Sequence, residues 1–237
     1  MTPGPDDVCR TKVLKLLPEQ DTMFRQPVER LRAGLTTVEQ YQQDIASLLR
    51  SLDFDTEFAD AIAAVRGRSA AEWLVRRHIG TCRYTIQVYG VAEGEVHPPH
   101  HHHNLISTQI ILEGAIHLRT YDRIKRNDRG QLLLRLMGDE SLTAGGLFQV
   151  SEWKANAHWF GAVGGPALIF SVDARGFEKN TFDRDDHAAF GRRYLDPTEC
   201  NQDGLIICAD LDKEEAFRRF GQCALSDFPH PTIQPGN

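Results

Sequence analysis

Three regimes of apolar spacing follow one another along this chain of 237 residues. Before Gly80, apolar residues recur every three or four positions, the repeat of a helix with one buried face. Thr36-Thr37-Val38-Glu39 has the pattern of a capping box. In the helix it opens, Val38, Tyr41, Ile45, Leu48 and Leu49 share a face. A second helix is predicted from Asp55, with Phe58, Ile62 and Val65 as its stripe. A third is predicted from the capping pattern Ser69-Ala70-Ala71-Glu72 to Gly80, a residue suited to a helix C-terminus. Upstream, residues 13–17 read as a short helix ended by Pro18, and Pro27 as the opening of another.

From Cys82 the repeat becomes two. Residues 83–91 alternate and carry Tyr84, Thr85, Ile86, Val88, Tyr89 and Val91, the β-branched and aromatic types that strands favour. Residues 108–112 and 115–121 flank Glu113-Gly114 as a predicted hairpin, and Asn127-Asp128-Arg129-Gly130 is a turn into a strand over 131–137. Further strands are predicted at 148–153, 157–163 and 167–172. Many short strands in so little chain point to a sandwich or barrel. After Asp173 the pattern weakens into helices predicted at 183–194 and 211–220, a strand at 205–209 at a sheet edge, and an extended Pro-rich tail from Phe228. No internal repeat is visible, so one β module is expected. The organisation read is a helical extension over 1–81, a barrel over 82–175 and a C-terminal extension over 176–237.

Composition changes this picture little. The chain is 41% hydrophobic and 25% charged with net charge −6, which argues against nucleic acid or an anionic membrane as partner. No apolar run reaches the ~20 residues that span a bilayer. The first residues lack the basic and apolar regions of a secretory signal, so a cytoplasmic protein is expected. The five cysteines contain no Cys-x-x-Cys pair and read as free thiols in a reducing compartment.

The candidate chemistry lies at Gly94-Glu95-Val96-His97-Pro98-Pro99-His100-His101-His102-His103-Asn104. On a strand His100 and His102 project to one side, two-thirds of a facial metal site. His101 and His103 offer the same spacing one residue on. Spacing from Gly94 resembles the first motif of the cupin superfamily, with Gly94, His100, His102 and Gly114 in place and Ser107 where that motif carries an acidic residue. A degenerate second motif runs over 145–160 and brings His158 to the position of the third ligand. The five-residue gap after Gly94 favours His100 and His102 over His101 and His103, which, with His97, are expected at the rim or surface.

The resemblance implies a double-stranded β-helix, a small jelly-roll barrel, holding one ion on His100, His102 and His158. Iron(II) is the first expectation; zinc, nickel, manganese and copper suit imidazole as well. With no carboxylate ligand the site keeps the full charge of a divalent ion and favours a small anionic substrate. Three-His sites resemble those of thiol and diketone-cleaving dioxygenases, which use O₂. Cysteine dioxygenases, however, carry a Ser-His-Tyr relay on the strand after the third ligand, where this chain reads Ala167-Leu168-Ile169-Phe170-Ser171-Val172-Asp173. By strand parity Gln109 faces a bound substrate, and Asn156 and Phe160 share the side of His158. Arg83 and Tyr84 begin the strand leading into the motif, with Arg83 placed to pair with a carboxylate. Trp159 and Phe160 are expected as an apolar wall or as core. A redox-neutral metal enzyme would need an acid or base, for which Glu152, Tyr84 and Glu95 are candidates, and a non-catalytic ligand-binding cupin is the third reading. Cupins commonly pair through sheet edges, which implies a homodimer.

Overall fold

A computed structural model describes residues 13–14, 16–80, 82–179, 181–182, 191–201 and 203–229. Strand β1 (Val13–Leu14) is followed by α1 (Pro18–Arg32), α2 (Val38–Ser51), α3 (Phe54–Glu57) and α4 (Ala59–Val65). Thr37 caps α2 by accepting a hydrogen bond from the Gln40 amide, and Tyr41, Ile45 and Leu49 form its buried stripe as expected. The helix expected from Asp55 is split at Phe58, whose φ of −131° departs from helical geometry, but Phe58, Ile62 and Val65 are all buried.

Three expectations for this region are corrected. Val13–Leu14 pairs as a strand, and the helix begins at Pro18, where a proline's missing N–H costs nothing. Pro27 lies inside that helix, because the stripe Phe24, Val28, Leu31 continues past it into the core. The third helix is strand β2 (Ala71–Ile79), paired with β3 (Cys82–Val91). Gly80, at φ +61°, belongs to the turn between them. Ladder pairing with β3 overrides the local helical pattern.

The remaining strands are β4 (Val96–His103), β5 (Leu105–Glu113), β6 (Ala115–Arg126), β7 (Leu132–Thr143), β8 (Leu147–Val150), β9 (Ala157–Ala162), β10 (Ala167–Arg175), β11 (Gly191–Cys200) and β12 (Ile206–Leu211), with α5 (Lys213–Phe220) near the end. They form two sheets. The first has the order β1-β2-β3-β10-β5-β8, and the second closes on itself as β11-β12-β7-β6-β9-β4.

Alternation places three layers of side chains. Tyr84, Ile86, Val88, Ile106, Ile110, Phe170 and Val172 leave the first sheet toward the helices and meet Phe24, Tyr41, Ile45 and Phe58. Their opposite neighbours face the second sheet, where Tyr89, Val91, Ile111 and Ile169 pack on Ile116, Leu118 and Phe160. Beyond the second sheet, Trp159, Tyr121, Leu195 and Phe228 make a further core. At roughly 1.5–3 kcal/mol for each large apolar side chain buried, both faces of each sheet contribute to stability.

The hairpin expected at Glu113-Gly114 is instead a corner between sheets. β5 pairs with β10 and β8, while β6 pairs with β7 and β9. Gly114 has φ +72°, and a Cβ there would stand 2.2 Å from the Pro166 carbonyl oxygen, so only glycine fits the corner. The turn at 127–130 does join a hairpin, β6 to β7, with Asn127 Oδ1 accepting from the Arg129 and Gln131 amides. The helix expected at 183–194 is also corrected. Residues 183–190 lie outside the described residues, and 191–194 begin β11, laid against β4. β12 and α5 form where expected, but β12 sits between β11 and β7 and is no free edge. The tail expected beyond Phe228 falls mostly outside the described residues.

Candidate metal centre

The two prolines before the histidine run explain its geometry. Pro98 and Pro99 cannot donate to a ladder, and the β4–β9 register slips there: His97 faces Phe160, while His100 faces His158. Three residues of β4 thus span two of β9, and His97, His100 and His102 all reach the same side. Behind the run, Asn156 Oδ1 accepts from the His102 amide at 2.9 Å, and Arg123 donates to the His102 carbonyl at 3.1 Å. Asn104 ends β4 at φ +49°; its amide donates to Glu152, and its side chain accepts from the Phe177 and Glu178 amides.

The ligand atoms of His100, His102 and His158 lie within 4.8 Å of one another. All three residues are buried. His100 Nδ1 is 2.7 Å from the Pro98 carbonyl oxygen. A carbonyl only accepts, so Nδ1 carries the proton and Nε2 keeps its lone pair. That Nε2 has no hydrogen-bond partner, nor do His102 Nδ1 and His158 Nδ1. Buried polar atoms are rarely left unpaired. Burial holds His100 and His102 well below the ordinary imidazole range and His158 at about 3; Arg192 pushes all three the same way. Neutral, converging imidazoles fit a divalent transition ion, because a ligand must be unprotonated to coordinate.

His102 and His158 line a cavity of about 580 Å³. Its walls carry Ser107, Gln109, Ser171, Asp173 and Arg175 from the first sheet, His97 and Phe160 from the second, and Arg192 and Tyr194 from β11. Gln87, Tyr89 and Trp73 complete one side; Glu95, Lys213 and Phe217 stand toward the mouth. Gln109 is where parity placed it, its Oε1 accepting from the Tyr89 hydroxyl at 2.5 Å. Phe160 lines the cavity, whereas Trp159 stacks on Tyr121 in the core behind, centroids 4.2 Å apart.

Several expected roles are not met. Tyr84 is fully buried on the helix-facing side of β3, out of reach of the cavity, and burial raises its phenol. Arg83 begins the cavity-facing row of β3 but does not line the cavity; its partner across the ladder, Arg175, does. Glu152 is no candidate base: it is buried against Arg123 at 2.8 Å and accepts from the Asn104 and Phe182 amides. Asn156 braces the backbone of His102. Glu95 does stand at the cavity mouth, accepting from the Ser69 hydroxyl and the Ala92 amide. The other histidines of the run are not at the surface. His101 and His103 are buried on the opposite side of β4, with His101 Nδ1 3.1 Å from Arg123, and His97 is half-buried between the rings of Tyr89 and Phe160.

Trp73, Arg192 and Tyr194 escaped the sequence reading because their strands read as helices. Asp173 was visible in the motif's own neighbourhood; the sign was an acidic residue on an otherwise apolar strand.

Two facing antiparallel sheets, with His-x-His on one strand and the third histidine on the strand beside it, decide the architecture. The fold is a cupin-type double-stranded β-helix. Helices precede it and a short helix follows it. No family model and no curated protein matches the chain. Among solved structures it is similar to procruciferin, an 11S globulin from Brassica napus, at 11% identity and TM-score 0.33, over 47% of this chain and 22% of that one. It is also similar to a cupin-2 domain containing protein from Shewanella frigidimarina, at 14% identity and TM-score 0.34, over 53% of this chain and 95% of that one. A third is an uncharacterized conserved protein with a double-stranded β-helix domain from Klebsiella pneumoniae, at 14% identity and TM-score 0.35, over 56% and 91%. The chain spans about a fifth of the length of procruciferin. No helix among the described residues is long and apolar enough to cross a membrane.

Proposed function

We propose that this chain is a mononuclear metal-dependent enzyme, a non-haem iron(II) dioxygenase acting on a small anionic substrate. The observation that carries the reading is the buried trio itself: three neutral imidazoles, each with an unpartnered ring nitrogen, two of them lining an open cavity. When bound, an iron(II) ion supplies a strong positive charge that acidifies a substrate group and a centre able to activate O₂.

The chain's own residues do the rest. His100, His102 and His158 hold the ion; the bond from His100 Nδ1 to Pro98 and the bonds from Asn156 and Arg123 to the His102 backbone fix two of the rings. Gln109, with its Oε1 engaged by Tyr89, turns its amide N–H₂ to the substrate as a donor. Phe160 and Trp73 exclude water from part of the wall. Wild-type protein purified without metal-affinity steps should carry iron and consume O₂ with one of a panel of small thiols, diketones and hydroxy acids. Iron-loaded protein inert toward O₂ across that panel would count against the dioxygenase.

One observation favours a second reading, a redox-neutral lyase, isomerase or hydrolase: Asp173 puts a carboxylate in the cavity wall, where acid–base chemistry needs one. Turnover under strict anaerobiosis selects it.

A further inference from the structure

β11 comes from outside the stretch that resembles a cupin motif, yet it forms part of the site. It lies antiparallel to β4 with Arg192 across from His102 and Tyr194 across from His100. Cross-strand partners show their side chains on one face, so Arg192 projects into the cavity beside a ligand histidine.

Two guanidiniums face the same space, and they differ. Arg175 has a counter-ion, Asp173, at 2.9 Å. Among the described residues no hydrogen bond or ion pair engages Arg192. It lines the same cavity as His97, His102 and His158. A cation there also opposes any metal ion on those rings. Such repulsion is relieved when a bound molecule brings a negative group to the guanidinium.

We propose that the substrate is a small dianion: one acidic group meets the three imidazoles, and a second, a carboxylate, is held by Arg192. This rests on the metal-enzyme reading above. A single uncommitted guanidinium offers one planar fork, the match for a carboxylate. Lys213, also in the lining, carries its ammonium 6.0 Å over the Phe217 ring. Neighbouring strands stand about 4.8 Å apart, so a spacer of about two to four carbon atoms connects the two groups.

The test titrates succinate, glutarate, adipate and their monomethyl esters into zinc-loaded protein, into R192Q and into R192K, with metal per chain measured for each. One diacid should bind about tenfold more tightly than its own monoester, R192Q should erase that difference, and R192K should keep part of it, all at equal metal content. Arg192 is exposed on its strand, so these variants should fold, and their melting curves check it. A wild type indifferent to the second carboxylate, or an R192Q that still prefers the diacid, overturns the proposal. Tighter binding of phosphonoacetate than of every diacid overturns the carboxylate assignment. A wild-type chain that takes up no metal sinks the reading of the preceding subsection, whereas a loaded chain that ignores the second carboxylate sinks only this one.

Discussion

Asp173 on β10 stands directly across the ladder from Ser107 on β5. Ser107 occupies the place where the cupin motif carries an acidic residue, so the carboxylate missing from one strand is present on its neighbour. It is not among the converging ligands. It accepts from Ser171 at 2.9 Å and from Arg175 at 2.9 Å, and Ser171 is in turn 3.5 Å from Ser107. A carboxylate at 107 would therefore face a second one in a buried wall. Ser107→Asp should destabilise the protein by about 1–3 kcal/mol, by like-charge repulsion and desolvation. The exchange Ser107→Asp with Asp173→Ser should recover most of that loss. Urea midpoints of the two variants check it; a double variant as unstable as the single would show that position, not charge, sets the cost.

The choice between overlapping histidine pairs yields a second expectation. His100→Ala, His102→Ala or His158→Ala should each cut metal affinity by a hundredfold or so, as a three-ligand site loses one donor. His101→Gln should keep its metal. It loses its contact to Arg123, at about 1 kcal/mol of stability. Metal content after dialysis against a weak chelator separates the two outcomes.

Arg123 and Glu152 form an ion pair with only 1% of each side chain exposed. Removing one partner strands the other charge, and Arg123→Met should cost about 3–5 kcal/mol. Because Arg123 also donates to the His102 carbonyl, the variant should bind metal more weakly than its lost stability alone predicts. Metal titration at a temperature where both proteins are fully folded tests this.

Acid should weaken the metal-stripped protein. His158 titrates at about 3 in the folded chain against about 6.5 when unfolded, so below 6.5 the unfolded state takes a proton that the folded state refuses. Stability is then lost as pH falls from 6.5 toward 3, by about 1.4 kcal/mol per pH unit for each such histidine. His100 and His102 act in the same direction. Denaturant unfolding at pH 7 and pH 5 measures the loss, and His158→Gln should shrink it; a flat profile would contradict the burial of neutral imidazoles.

The histidine pair that joins the converging trio and the barrel were legible in the sequence, because a glycine-bounded His-x-His and a period of two are local patterns. His158 was found through the resemblance of residues 145–160 to a second cupin motif. The register shift at Pro98-Pro99 was not legible: whether His97 faces inward depends on how β9 pairs with it. Ser69 to Gly80 shows the other limit. Its capping pattern and glycine stop argue for a helix, and only the ladder with β3 makes it a strand. The same override at Gly191 hid Arg192 and Tyr194. Tyr84 was misplaced by one step of parity, since nothing local says which face of β3 the helices cover, and Arg83, on the cavity-facing row, begins its strand short of the cavity.

The six-strand ring carries a consequence of its own. The converging histidines lie between Gly94 and His158, while the guanidinium beside them arrives on β11, from a separate part of the chain. On the function proposed above, reactivity and selectivity are written in different segments. Evolution, or an engineer, can exchange the second without disturbing the first, so proteins sharing the histidine motif need not share what they consume.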